Sequence, residues 1–291
     1  MIHTLMGTLA FKGLAGAVAA GTVATGGFFA WRHVNKPTDV KSRLIWEGYT
    51  VADVKKNGVW KAIYLAKHNE SGFSSFVAGN NKTEVGPRLK QKCSELLSVS
   101  AEDKNYENSY KEAQKWCLNP ELTTIEMQFD FEDREFASGD DDFKNLFSLN
   151  KETGAFISAV KSKVSSFEKG TALDTAKDNV KAWCEDIKGR APKGDDLKHA
   201  KEWCTKPSST LNSFMDAHGF KPVSDNGWSD KFNSLKSQNK DSNFESDIGV
   251  SGDNGATKLK EWCDGKKLGT DQIHSLSENL EKAKVRCFVR K

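Results

Sequence analysis

The sequence lacks the patterns on which enzyme chemistry usually rests. It has no H-E-x-x-H, no Walker A loop, no G-x-S-x-G elbow and no G-x-G-x-x-G turn, which removes the familiar signatures of zinc hydrolysis, nucleotide binding and acyl transfer. Its six histidines, His3, His33, His68, His199, His218 and His274, are scattered. No two of its six cysteines stand in C-x2-C spacing, so the thiols match neither a zinc site nor a thioredoxin-type couple. Asp241-Ser242-Asn243-Phe244-Glu245 opens like a calcium loop but lacks the glycine at position six and the glutamate at position twelve, and Asp140–Asp142 and Asp195-Asp196 read as solvated loop acids. No catalytic, cofactor or metal residue is assigned, and the chain is expected to be non-enzymatic. Sustained period-2 alternation is also missing, which speaks against sheet.

An excess of one charge is missing from most of the chain. Of 43 Lys+Arg, three (Lys12, Arg32, Lys36) fall in residues 1–36, which contain no acid; the rest of the chain holds 40 basic and 40 acidic residues. A neutral body lacks the uncompensated bases that a phosphate backbone requires, so no nucleic-acid partner is expected.

Charge is absent altogether from Gly13 to Trp31. As a helix, at about 1.5 Å per residue, that stretch just crosses a hydrocarbon core of roughly 30 Å. Lys12 precedes it, and Phe28, Phe29, Trp31 and Arg32 close it in the manner of an interfacial belt. Residues 1–36 are therefore expected to be a single-pass transmembrane anchor, or signal-anchor, that meets the lipid bilayer through residues 13–31. Gly16/Ala20 and Ala17/Gly21 would let two such helices pack closely. A cleaved signal peptide is the rival reading, with Ala17-Val18-Ala19 as an A-x-A site. The segment has no cysteine, which excludes lipidation of an N-terminal Cys. Arg32, Lys36, Lys41 and Arg43 follow the span and favour a cytoplasmic body.

What is present is self-similarity. Cys93 and Cys117 lie 56 and 80 positions after Pro37, and Cys263 and Cys287 lie 56 and 80 after Pro207; Cys184 and Cys204 lie 64 and 84 after Pro120. Four residues before each first cysteine stand Leu89, Val180 and Leu259, each followed by Lys. Four before each second cysteine stand Ala113, Ala200 and Ala283, with Tyr110, Leu197 and Leu280 three further back. Gly48-Tyr49 pairs with Gly219-Phe220, Asn57-Gly58 and Trp60 with Asn226-Gly227-Trp228, and Phe73 with Phe244. The middle copy is diverged: no glycine follows its first helix, and only Phe147 and Phe156 match Leu235 and Phe244. The expected architecture is all-α, with a transmembrane helix followed by helical repeats over residues 37–117, 120–204 (diverged) and 207–287.

Each repeat reads as four helices. Pro37 to Glu47 stopped by Gly48, and Pro207 to His218 stopped by Gly219, form the first. Trp60–Lys67 and Trp228–Ser237 form the second; the third runs into the first cysteine and the fourth ends at the second. Gly79–Asn81, Ser138–Asp142, Gly189–Asp196 and Ser251–Gly255 read as loops. Trp60, Trp116, Trp183, Trp203, Trp228 and Trp262 are expected core aromatics, each covering about 150–250 Å² when buried. Two cysteines per repeat predict three internal disulfides, although six cysteines permit 15 pairings. Loops of 20 to 24 positions would contribute about 3 kcal/mol each. Both cysteines sit near helix ends, so the helices must cross obliquely, or a loop must fold back, to bring their Cα atoms within about 7 Å. Disulfides place the body outside the cytoplasm, against the flanking charges; six reduced, buried cysteines in a cytosolic body are the alternative.

Leu259-Lys260-Glu261-Trp262-Cys263, Ala200-Lys201-Glu202-Trp203-Cys204 and the Gly/Ala-rich leading span together resemble paralogous membrane-anchored surface-protein families of haemotropic mycoplasmas. The chain departs from the pattern at Arg286-Cys287, where Trp is replaced. The resemblance covers most of the chain. It implies cell-surface display and a host-interaction or antigenic role, and transfers no catalytic residue. A membrane-anchored surface protein with an extracellular body is thus expected; the alternative is a cytoplasm-facing membrane-attached scaffold. Asn69-Glu70-Ser71 and Asn81-Lys82-Thr83 match the glycosylation sequon.

Overall fold

Asp39 starts the first helix by reciprocal capping. Its carboxylate accepts from the Ser42 N–H, and the Ser42 hydroxyl accepts from the Asp39 N–H. The computed structural model describes residues 36–238, 244–250 and 253–291. Five helices follow the chain to the second cysteine: α1 (Val40–Trp46), α2 (Gly58–Lys67), α3 (Phe73–Phe76), α4 (Lys82–Leu97) and α5 (Tyr106–Trp116). Five more lie between Ile125 and Trp203: α6 (Ile125–Phe131), α7 (Asp140–Asn150), α8 (Gly154–Lys161), α9 (Leu173–Lys188) and α10 (Gly194–Trp203). The last third holds α11 (Leu211–Ala217), β1 (Phe220–Pro222), α12 (Trp228–Gln238), α13 (Phe244–Asp247), α14 (Gly255–Asp264), a 3-10 turn over Ile273–Leu276, α15 (Asn279–Arg286) and β2 (Phe288–Arg290).

One hydrogen-bond frame recurs in all three segments. Thr124 and Thr210 cap α6 and α11 as Asp39 caps α1, each accepting from the N–H three residues on. These helices bury Val40/Leu44, Ile125/Phe129 and Leu211/Met215 at i, i+4. Each then stops at a left-handed residue: Gly48 (φ 93°), Asp133 (φ 55°) or Gly219 (φ 81°). Asp133 fills the place where the middle copy has no glycine, because a short polar side chain tolerates this conformation. Four residues further on, the N–H groups of Ala52, Ala137 and Val223 donate to the carbonyls of Cys117, Cys204 and Cys287 at 3.0, 2.9 and 3.0 Å.

Several boundaries differ from expectation. The first helices begin at Val40 and Leu211, not at Pro37 and Pro207, because Asp39 and Thr210 supply the side-chain caps. Among the described residues each segment has five α-helices rather than four; α3, α8 and α13 are extra and carry Phe73, Phe156 and Phe244. Asp140–Asp142 belong to α7 rather than to a loop, and Gly194–Asp196 to α10. Gly255 likewise opens α14. Sheet is present in small measure: Val51↔Leu118 and Phe136↔Thr205 are single antiparallel bridges, and at the same place in the third segment Pro222 faces Phe288 in the β1–β2 ribbon. That ribbon carries the third segment past residue 287.

Three hydrophobic clusters form, each around one cysteine pair. The helix bearing the first cysteine offers a matched stripe at i, i+4, i+8: Val85/Leu89/Cys93, Ala176/Val180/Cys184 and Gly255/Leu259/Cys263, all buried. The clusters meet along two junctions. The N-terminal turn of α2 lies against the end of α6, so closely that a Cβ on Gly58 would stand 1.7 Å from the Asp130 carbonyl oxygen. At the second junction α7 meets the Ile273–Leu276 turn. There the Asn145 side-chain oxygen accepts from the His274 N–H and Nδ1, both at 2.9 Å, and its nitrogen donates to Gln272 at 3.0 Å.

Candidate functional site

The expected disulfides are all present: Cys93–Cys117, Cys184–Cys204 and Cys263–Cys287, with Cα separations of 5.6, 5.6 and 5.7 Å. In the first two, the first cysteine lies one turn before its helix ends, at Leu97 and Lys188. The second cysteine of each pair caps the end of α5, α10 or α15. A helix end thus abuts the flank of another helix, which satisfies the crossing that the spacing demands.

The residues preceding the cysteines face the same aromatic pocket in three versions. Trp116 meets Phe73 edge-on at 5.4 Å and stacks on Phe76, over which Lys92 Nζ sits at 4.4 Å. Trp203 meets Phe156 at 5.6 Å and Trp183 at 5.9 Å. In the third segment the Arg286 guanidinium replaces the second tryptophan, 4.8 Å from the Trp262 ring and 5.9 Å from Phe244. Arg286 is fully buried and pairs with Asp247 at 2.9 Å; the hydrogen bond from Lys282 first, and then that from Arg286, holds the Asp247 carboxyl below its usual range. Trp60, Trp116, Trp183, Trp203 and Trp228 are buried as expected. Trp262 is the correction: it is only half-buried, packed against the third core.

This pocket makes a prediction. Arg286→Trp together with Asp247→Leu re-creates the tryptophan pair of the middle segment without a leftover charge and should leave stability equal or raised, by up to ~1–4 kcal/mol, because apolar replacement of both members of a buried ion pair is commonly neutral or favourable. Asp247→Ala alone should instead cost about 2–3 kcal/mol by removing one carboxylate partner of a buried guanidinium, below the figure for a fully buried pair because Asp247 is partly exposed. Urea midpoints of the two variants check this; an equal loss in both would show that the guanidinium cannot be exchanged.

The junctions enclose two open clefts. The first, about 630 Å³, is lined by Lys61, Lys82, Asp130, Arg134, Glu135 and Lys188. Lys82 bridges the segments there, 2.7 Å from Glu126 and 2.6 Å from Asp130. Burial raises the Asp130 carboxyl despite the lysine; burial works to lower Lys82, but the two carboxylates outweigh it and raise the ammonium. The second cleft, about 670 Å³, has an apolar floor of Leu146, Leu149, Trp203 and Phe214. The rim bases are already taken, Lys201 by Glu132 at 2.6 Å and Lys206 by Glu135 at 3.2 Å. Neither cleft presents a nucleophile hydrogen-bonded to a base. Among the described residues no three His, Cys, Asp or Glu are placed to hold a metal ion. Burial lowers the His274 imidazole at the second junction, where Asn145 fixes its orientation.

A third feature escaped the sequence reading. Three of the four tyrosines gather where α1 meets α5. The Arg43 guanidinium lies 3.8 Å from the Tyr110 ring centroid and 5.5 Å from that of Tyr106. It also bonds Glu47 at 3.0 Å and Glu107 at 2.6 Å; these bonds outweigh desolvation and raise its pKa. The Tyr110 hydroxyl donates to Glu47, which lowers the carboxyl; burial first, and then that bond, pushes the tyrosine up to about 12. Gln114 donates to the hydroxyls of both Tyr49 and Tyr110, at 2.7 and 3.2 Å. The only sequence trace of this cluster is Arg43 and Glu47 at i, i+4; their partners come from a helix some sixty residues away. Asn69 of one sequon is exposed, whereas Asn81 of the other caps α4.

Comparison with protein-family models, curated proteins and solved structures found no match. Among the described residues no helix is long and apolar enough to cross a membrane. The expected span, Gly13–Trp31, lies outside the described residues, as do the first three positions of the rejected calcium loop, Asp241–Asn243.

Proposed function

We propose that this chain is a membrane-anchored surface protein whose body consists of three tandem disulfide-clamped helical modules, 37–117, 120–204 and 207–287, with a non-enzymatic host-interaction or antigenic role. The observation that carries this reading is the complete pairing of the cysteines: all six are joined, one bond inside each module, with no free thiol. Such bonds persist in oxidising compartments, and cores of this size profit most from them. The leading uncharged stretch supplies the tether, and the resemblance to mycoplasmal surface-protein families agrees with display on a cell. The second reading, a scaffold facing the cytoplasm, is favoured by Arg32, Lys36, Lys41 and Arg43 just after the span.

Intact cells separate the two. The surface reading expects external protease to clip the body, and it expects no cysteine to be alkylated when cells are lysed in denaturant without reductant. A protected body with six alkylated thiols would overturn it in favour of the scaffold.

A further inference from the structure

The three modules share an aromatic pocket beside the disulfide but not the side chains at its mouth. In the first module that mouth is an open hollow of about 350 Å³, lined by Lys92, Lys111, Glu112 and Lys115 above Phe76 and Trp116. Counting back from the cysteines, the middle module has Trp183, Lys198, His199 and Glu202 at the same four positions, and the third has Trp262, Glu281, Lys282 and Val285. One base stands against one acid in each of those modules; in the first, three bases stand against one acid. The disulfide builds the hollow. Cys93 on α4 is joined to Cys117 at the end of α5, which sets Lys92 beside the face of α5 that carries Lys111 and Lys115 at i, i+4. Two of the ammoniums are fixed there. Lys92 Nζ donates to the Phe76 carbonyl at 2.6 Å and lies 4.4 Å from the Phe76 ring centroid. Lys115 Nζ donates to the Ser71 carbonyl at 3.0 Å and lies 4.3 Å from the Trp116 ring centroid.

The neighbouring Lys67 is neutralised by Glu70 at 3.2 Å, but among the described residues none of these three lysines forms an ion pair. An ammonium carries three N–H donors. Lys92 and Lys115 each spend one on a neutral carbonyl and Lys111 spends none, so the hollow keeps both donors and positive charge. Such a site takes an anion with several acceptor oxygens. Glu112 narrows the ligand further. Its carboxylate lines the same hollow without an ion pair, and with the hydroxyl of the exposed Ser75 it offers acceptors for O–H groups. A bare polyanion is repelled by Glu112, whereas an acidic sugar finds donors for its acid groups and acceptors for its hydroxyls. The hollow is also confined to one module, not drawn out into the basic track that a nucleic-acid backbone needs. We propose that the hollow between α4 and α5 of the first module binds an acidic saccharide, its sulfate or carboxylate groups held by Lys92, Lys111 and Lys115. The use of that binding rests on the host-interaction reading above; the binding itself is a property of the purified chain.

The test titrates the full, oxidised chain in non-ionic detergent by isothermal titration calorimetry at low salt. The probes are a heparin tetrasaccharide, the neutral maltotetraose, and a single-stranded oligonucleotide with the net charge of the heparin fragment. We expect one heparin fragment per chain, no heat from maltotetraose, and an oligonucleotide affinity about tenfold lower, the worth of a hydroxyl bond to a charged acceptor. Lys92→Gln, Lys111→Gln and Lys115→Gln should each weaken the heparin fragment roughly tenfold by loss of a charge-assisted bond, with unchanged far-UV circular dichroism. Lys111 is exposed and bonds nothing among the described residues, so its variant reads the site even where the other two disturb the fold. A control with Lys161→Gln, Lys198→Gln and Lys221→Gln together removes three exposed lysines elsewhere and should bind as the unaltered chain does. An equal loss in that control would overturn the site in favour of diffuse attraction. Equal affinity for the oligonucleotide would overturn the saccharide and leave a patch for any polyanion. No heat from the heparin fragment would remove the site altogether, while surface display, decided by protease and alkylation on intact cells, would stand or fall separately.

Discussion

A chain with Cys184 and Cys204 both replaced by alanine should lose the cooperative unfolding of its middle module at a temperature well below that of the unaltered protein. The bond closes a loop of 20 positions, worth about 3 kcal/mol in the chain-entropy account. A module of this size has roughly 4–12 kcal/mol in all, at about 0.05–0.15 kcal/mol per residue. Removing the bond therefore takes between a quarter and most of its stability, a fall of roughly 12–24 °C in Tm. Packing adds to the loss. Both cysteines are buried, each directly after a buried tryptophan, Trp183 or Trp203, and alanine leaves the sulfur volume empty. Differential scanning calorimetry reads the outcome directly. An unchanged transition would mean that α9 and α10 are held by their apolar contacts alone, and the disulfide would lose its place as the reason that so small a core persists.

Parts of this architecture are legible in residue order for a physical reason. A disulfide needs two cysteines at fixed places on two helices, so the copies cannot slide it without refolding the module, and the 56 and 80 spacings survive. The alanines four residues before the second cysteines are kept because each sits buried with its carbonyl accepting the cysteine N–H. The fully or mostly buried tryptophans follow from the same crowding. The short α3, α8 and α13 were not legible. Four to eight residues show too little periodicity to mark a helix, and what recurs in them is one phenylalanine. Asp133 carries no such mark in the sequence, because the residue that signals a left-handed stop is glycine. Trp262 is half-buried rather than enclosed because the position that holds Trp203 in the middle module holds Arg286 here, and a guanidinium needs a carboxylate as well as a ring beside it.

The junctions were hidden for a different reason. A core position has the same neighbours in every copy, whereas a junction position has neighbours that depend on what precedes and follows. Counting from the caps, Ile45, Asp130 and Asp216 are one position: exposed on the first module, buried in a salt bridge on the second, and paired with Lys291 at 2.7 Å on the third. Comparing the copies finds what they share and passes over the residues that make them different. Those are the residues on which any partner-specific role of a tandem array would have to act.

The second large effect is expected from Gly58→Ala. Judged by helix propensity alone the change should help, because alanine is favoured over glycine in a helix by about 1 kcal/mol. Gly58 opens α2 without a left-handed φ, so its backbone accepts a side chain. The space does not. The added Cβ would lie 1.7 Å from the Asp130 carbonyl oxygen and 2.8 Å from the Asp133 carboxylate. A backbone oxygen in a helix that is capped at Thr124 and stopped at Asp133 cannot step aside, so α2 and α6 must separate. Overpacking of this kind costs about 1–3 kcal/mol and occasionally more, and a clash with main chain belongs at the upper end. The separation also pulls Lys82 away from Glu126 and Asp130, and Phe131 from the first core, so the first two modules should unfold as separate transitions where the unaltered chain couples them. Gly154→Ala is the matched control: it opens α8, also without a left-handed φ, and a Cβ there meets nothing within 4 Å. That change should be neutral or stabilise by up to ~1 kcal/mol through propensity. If both alanine variants raise Tm alike, α2 and α6 are not in the contact described, and the first two modules are joined by their linker alone.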